Sequence, residues 1–393
     1  MSLIEEGDLK KIFYYLERTF SIWASLGMEI YLWDQNFKQL EIPPTIEKLL
    51  RENYIYTLFP SLNLYFFNKK SFISPPKYDF SISMDSNIAR YIHEYVLYGK
   101  ESIFFKGSKE KLDIVLSLKD EDINFDSLLY IIENEIKSHT NYDEEKFFET
   151  LVSLEKFKNP NENPEKEALE NFNFIKKNPE SIQIFKLQLK SLKLIVSAIV
   201  YAKWKFSKKE ERVRYLMNFM HSRIGAFYER EFLLAINYFE NSRVETNFFE
   251  EKIQPNINLK KLTYRIENLA SDLLLIRFIE YLHQYREKRY KPHIKNLSFI
   301  PFFLSFDKNL KKIMENYHCK AIIVIRNHNE VNVIPVFLEK KKIFKAIEKY
   351  SLEEFFTQKA KIDKTKRKQF LEKSYDKFFE EEINKIKELF RDL

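Results

Sequence analysis

The sequence predicts a mainly helical α+β protein with an N-terminal mixed α/β module, a central antiparallel helical hairpin and a small C-terminal α/β module. Three observations lead there. Phe185, Leu189, Leu192, Val196 and Ile199 recur at steps of four and three, and Leu262, Ile266, Leu269, Leu273 and Ile276 repeat that rhythm, the spacing of helix seams packed on partners. Short strand-like runs alternate with helical stretches in the first third of the chain, and a strand, a helix and two strands follow residue 297. At 393 residues, 45% of them apolar, the chain can bury the cores of two or three domains.

Residues 9–20 read as a helix. MEIYLW (28–33) and FKQLEI (37–42) read as strands around the turn Asp34-Gln35-Asn36. TIEKLLREN is helical, SLNLYFF (61–67) and YDFSISM (78–84) are strand-like, and SNIARYIHEYVLYG ends a helix at Gly99. SIFF (102–105) and LDIVLSL (112–118) are expected to be strands flanking a turn at Gly107-Ser108-Lys109, before a helix over 125–139. The order of elements in this module, residues 1–145, resembles that of small sensory domains of the GAF and PAS type. A linker is expected over 146–182, with the polar, proline-bearing KNPNENPEK inside it. A connector helix and the helical hairpin take 183–293. Residues 294–393 form the last module: LSFIPFFLSF, a helix from Lys308, KAIIVIR, VNVIPVFL, KKKIFKAIEKY and a charged helix from Lys373 to Leu393.

Composition narrows the function classes. The only glycines are Gly7, Gly27, Gly99, Gly107 and Gly225, so no glycine-rich loop exists to cradle a nucleotide's phosphates, and no cofactor is expected. Cys319 is the single cysteine, which excludes disulfides within the chain and cysteine-based zinc sites. The longest nearly apolar run, Leu194 to Ala202, is too short for the roughly 20 residues a bilayer needs, so no membrane insertion and a cytoplasmic location are expected. The net charge of +7, from 65 basic and 58 acidic residues, is too balanced to demand a polyanionic partner. The abundance of Lys, Glu, Ile and Phe is similar to that of heat-adapted proteins.

EERVRYLMNFMHSRIGAFYEREFLLAINYFE (210–240) places His221 on a long amphipathic helix, and KLTYRIENLASDLLLIRFIEYLHQYREK supplies a second one. The pair resembles the dimerisation and phosphoacceptor hairpin of sensor histidine kinases, through Tyr215-Leu216-Met217-Asn218-Phe219-Met220-His221 and through Ile266-Glu267-Asn268-Leu269 with Asp272-Leu273-Leu274. The resemblance implies a homodimer, His221 as a phosphoacceptor and a receiver-domain protein as partner. An exposed neutral imidazole can attack a phosphoryl group and hold it as a phosphoramidate. Ser222 stands where that family carries an acid, and the C-terminal region lacks the family's ATP-binding boxes, so the implied role is a catalytically degenerate sensor or relay.

The alternative is a nucleic-acid-associated protein. Lys340, Lys341, Lys359, Lys361, Lys364, Lys366, Arg367 and Lys368 make two basic stretches, with Phe344, Phe355 and Phe356 nearby for base stacking. Glu339-Lys340-Lys341 after a strand is similar to the ending of the PD-(D/E)xK nuclease motif, with Asp307 or Glu330 as the further acid. The βαββα order after residue 297 is similar to the palm of GGDEF cyclases, with Asn327-His328-Asn329-Glu330 in place of the catalytic turn. Arg286 to His293 is similar to the Arg and His pair of helical ribonucleases, though Pro292 breaks the helix such a pair requires.

Overall fold

The computed structural model describes residues 28–67, 77–119, 124–137, 143–158, 163–177, 179–282, 297–326 and 331–392, with Tyr14, Arg18 and Thr19. Among them are fourteen α-helices and eight strands in two four-stranded sheets, a mainly helical α+β fold. None of these helices is long and apolar enough to cross a membrane. The chain divides into two compact units: residues 1–185 with 277–337, and residues 186–276 with 338–393.

The first unit holds both sheets. Strands β1 (Met28–Trp33), β3 (Leu64–Phe67), β7 (Cys319–Arg326) and β8 (Val331–Phe337) form an antiparallel sheet in the order β3-β1-β7-β8. Ile30 lies opposite Phe67 on one side and Ile323 on the other. Alternation along β1 puts Ile30 and Leu32 on one face, where they pack with Ala321, Ile323 and Val336. The second sheet runs β2-β6-β4-β5, from β2 (Ile55–Tyr56), β4 (Lys77–Met84), β5 (Asn124–Asp126) and β6 (Leu297–Leu304). Here β4 is parallel to both β5 and β6, with Ser83 opposite Asp126 and Phe303. Strands β6 and β7, read from sequence as part of a module of their own over 294–393, thus pair with strands of the N-terminal third.

Helices α1 (Pro44–Arg51), α2 (Ser86–Tyr98), α3 (Lys109–Ser117), α4 (Leu128–Lys137), α5 (Glu144–Lys158) and α6 (Pro164–Lys177) complete the amino-terminal part of this unit. Three segments expected as strands are not. LDIVLSL lies in α3 and the residue after it, because Leu112, Val115 and Leu118, three apart, are the most deeply buried positions and make a helical stripe. SIFF forms a single 3₁₀ turn over Ile103–Phe105. FKQLEI is a loop rather than a strand, held by single contacts: Asn63 Nδ2 donates to the Phe37 carbonyl at 2.6 Å, and the Leu40 amide donates to the Leu62 carbonyl at 3.0 Å. Two prolines follow, which a central strand does not tolerate.

The chain passes between the units within α7 (Pro179–Lys205), within α11 (Leu259–Leu282) and after β8. The second unit adds α8 (Lys209–Phe219), α9 (Glu229–Phe239), α10 (Arg243–Glu250), α13 (Lys340–Lys349) and α14 (Gln358–Asp392). All ten residues of the two predicted seams are buried within one chain, on α7 and α11. Charged side chains are buried here too. Glu245 accepts from Asn237 Nδ2 at 2.9 Å and from the Ser242 hydroxyl, and Glu382 accepts from the Tyr215 hydroxyl at 3.0 Å. Burial and the neighbouring Glu382 charge hold the Tyr215 phenol well above its ordinary range. Paired in this way, the carboxylates avoid the penalty of an orphaned buried charge.

Candidate functional site

The long helix expected around His221 is interrupted. Helix α8 stops at Phe219, Met220–Ile224 form a π-helical turn, and Gly225 takes φ of 71°, a left-handed conformation that glycine adopts without strain. His221 therefore sits in a π-turn rather than on a straight helix face. It is half-buried, its ring centroid 5.6 Å from that of Phe355 and the two rings inclined at 65°. Arg223, two residues on, pairs with Glu381 at 3.3 Å and covers the Phe378 ring. Lys341 is exposed, whereas Lys340 is buried with its ammonium 5.7 Å from the Phe344 ring. Lys359, Lys361, Lys364, Lys366, Arg367 and Lys368 fall on α14, and their side chains lie outside the described residues, as do Glu330, the 327–330 turn and Arg286 to His293. Among the described residues no group of three His, Cys, Asp or Glu is placed to hold a metal ion.

A different site comes from the parallel strands. In an open α/β sheet, ligands bind outside the carboxyl ends of the strands, where helices begin. Three strands end that way here, each delivering an aspartate as a helix cap. Asp85 after β4 accepts from the Ile88 amide at 2.9 Å and starts α2. Asp126 at the end of β5 accepts from the Leu128 amide at 2.8 Å and starts α4. Asp307, after β6, accepts from the Asn309 and Leu310 amides at 2.8 and 3.1 Å and starts α12 (Lys308–Asn316). Asp307 is thus a cap, engaged through Oδ1 with two backbone amides.

Asp85 is 6% exposed, and burial pushes its carboxyl up to about 6, against the lowering effect of the Ile88 amide and the Ser305 hydroxyl. Glu133 on α4, which accepts from the Ser86 amide at 3.1 Å and from the Ser86 hydroxyl, raises it further. Ser305, fully buried, donates its hydroxyl to Asp85 Oδ2 at 2.9 Å, while its own amide donates to the Tyr54 carbonyl at 3.2 Å. A phenol has one proton, and Tyr56 gives it to the Asn53 carbonyl at 2.6 Å. The Ser305 carbonyl, at 3.4 Å, is the second and weaker neighbour. Burial and then the charges of Asp307, Glu315 and Asp85 hold that phenol well above its ordinary range, so it stays a donor.

Tyr56 and Asn53 also line a cleft of about 260 Å³ between α1 and α12. Asn53 has φ of 68° just past the end of α1, the left-handed stop that asparagine tolerates, and this turns the chain into β2. The cleft is lined by the apolar Leu50, Phe59 and Met314 and by the charged Glu47, Arg51, Lys311 and Glu315. The segment that carries Asn53 and Tyr56 is joined to Ser305, whose amide bonds the Tyr54 carbonyl, and through the Ser305 hydroxyl to the buried Asp85 and the start of α2. Tyr56→Phe is expected to lower stability by about 1 kcal/mol, the worth of one intramolecular hydrogen bond, read as a shift of the urea midpoint at unchanged slope.

Sequence reasoning passed over this site because each residue has an ordinary local purpose. Asp85-Ser86 and Asp307-Lys308, each after an apolar run and before a helix, are helix-start signals, and nothing in their spacing reveals that Ser305 and Asp85 meet across 220 residues. Compared with known protein families, curated proteins and solved structures, the chain matches none.

Proposed function

We propose that the protein is a sensor-like regulator that recognises a small molecule in the cleft between α1 and α12 and carries out no nucleotide-dependent catalysis. The observation behind this is the link from that cleft to a buried, proton-sensitive helix cap: an occupant pressing on Tyr56 or Asn53 acts on the Ser305 and Asp85 bonds that start α2. Such a link gives a ligand a way to favour one state of the unit over another. The test is a library of small anionic, cationic and neutral compounds titrated against the full chain carrying ¹³C-methyl methionine. Saturable movement of the Met314 methyl resonance is expected with some members, and loss of the reading follows if none moves it.

The relay form of this reading makes His221 the phosphoacceptor, a receiver-domain protein its phosphate donor, a homodimer its assembly and the cytoplasm its compartment. Its support is the quoted resemblance, together with the partial exposure of the imidazole. Incubation with a phosphorylated receiver domain is expected to leave acid-labile phosphate that His221→Ala abolishes; no such phosphate ends the relay form. A monomer mass by light scattering would remove the dimer.

A nucleic-acid-binding reading keeps one supporting observation, the exposure of Lys341 and Lys345 beside Phe344 on α13. It requires binding to single-stranded DNA or RNA that weakens steeply with salt and with Lys341→Ala.

A further inference from the structure

Resting on the ligand-binding reading of the cleft, we propose that its occupant is a small zwitterion with an apolar body, of the chemical class of the free amino acids. Glu47 and Arg51 lie one turn apart on α1, and both line the cleft. Their spacing, with the acid toward the amino end, is the arrangement that favours a closed ion pair on a helix. They do not close it: both are exposed, and neither side chain is engaged with another group. On α12 the pair Lys311 and Glu315 has the less favourable order and is nevertheless closed at 3.3 Å, with Glu315 still half exposed to the cleft.

The four groups discriminate between ligand classes. A purely anionic occupant meets Glu47 and Glu315 as well as the two cations, and a purely cationic one meets Arg51 and Lys311. A neutral apolar occupant strips water from Glu47 and Arg51 and returns nothing to either. Only a molecule bearing an ammonium and a carboxylate close together pairs both open side chains at once, the carboxylate on the Arg51 fork and the ammonium on Glu47. Ile42 and Leu50, both partly exposed, offer the apolar surface for its body. The volume of about 260 Å³ lies just below the roughly 300–1,000 Å³ of drug-sized sites, which suits a metabolite of amino-acid size.

The experiment titrates the twenty l-amino acids one at a time into the full chain by calorimetry, with the Met314 methyl resonance as locator. For any binder, the amine lacking the carboxylate and the acid lacking the ammonium are titrated as well. At least one amino acid is expected to bind saturably and move Met314, with both counterparts at least tenfold weaker. Glu47→Gln and Arg51→Gln are each expected to weaken it at least tenfold while leaving the thermal midpoint unchanged, since both side chains are exposed. The proposal is overturned if no amino acid moves Met314, or if either counterpart binds as tightly as the amino acid. Movement of Met314 by other small compounds, with none by amino acids, rejects the zwitterion and keeps the cleft as a ligand site; movement by nothing rejects both.

Discussion

Asp85→Asn is expected to make the protein more stable than the unmodified chain above pH 7 and to flatten its stability between pH 4 and pH 7. The buried carboxyl titrates near 6 in the folded protein and near 3.8 when unfolded, so the folded state holds the proton more tightly. A group raised in this way contributes stability that is fully present below about pH 4 and is lost as pH rises through about 6. Linkage between those two values makes the loss about 3 kcal/mol. Asparagine keeps what the structure asks of the position. Its carbonyl oxygen caps the Ile88 amide, its amide can donate to the Ser305 hydroxyl, and it carries no charge to desolvate. Urea unfolding of both proteins at pH 4, 5.5 and 7.5 checks this, with the difference between them expected to grow by about 3 kcal/mol across the series. Parallel pH curves for the two proteins would show that Asp85 does not titrate as its surroundings dictate. Asp85→Ala serves as a control for the cap, since it removes the charge and the acceptor together and costs about 1 kcal/mol in lost capping.

Leu32→Ala is expected to destabilise the antiparallel sheet's unit by about 2–5 kcal/mol, the range for emptying a buried leucine site. Leu32 is fully buried on β1, the strand between β3 and β7, and its neighbour across the β1–β7 pairing is Ala321. The two are complementary in size, so the truncation leaves one alanine facing another with no large side chain between them. Ala321→Leu alone should overpack the same spot and cost about 1–3 kcal/mol. Together the two changes restore the volume, and the double variant is expected to be more stable than Leu32→Ala alone. Chemical denaturation of the three variants measures the coupling.

The helical stripes were the most legible part of the fold. Five positions at four-three spacing on α7 and five on α11 were marked from the sequence, and all ten are buried. That pattern encodes burial but not the covering partner, so it served equally well as evidence for a dimer and for the interior of a single chain. Strands were legible where apolar residues met β-branched ones, as in β7 and β8, and illegible where a short helix carries the same composition, as in LDIVLSL. The break after Phe219 was hinted at by Gly225 alone, six residues further on. The candidate site was hardest, because its meaning is non-local. Asp85, Ser305 and Tyr56 are unremarkable one at a time, and only the pairing of β6 with β4 on one side and β2 on the other brings them together. Glu47 and Arg51 have the spacing of a routine surface pair, and only the folded chain shows that the pair stays open over a cleft.

The interleaving of the two units bears on how the protein is made. Strand β1 pairs with β7, so that Met28 finds Ile325 as its neighbour, and the first unit lacks two strands of one sheet and one of the other until residue 337 has left the ribosome. Through most of synthesis the early strands therefore present bare edges to the cell, the state most exposed to mispairing with other chains. Such long-range closure also slows folding once the chain is released. A stall in translation anywhere in the middle of the message would yield a product with neither unit finished.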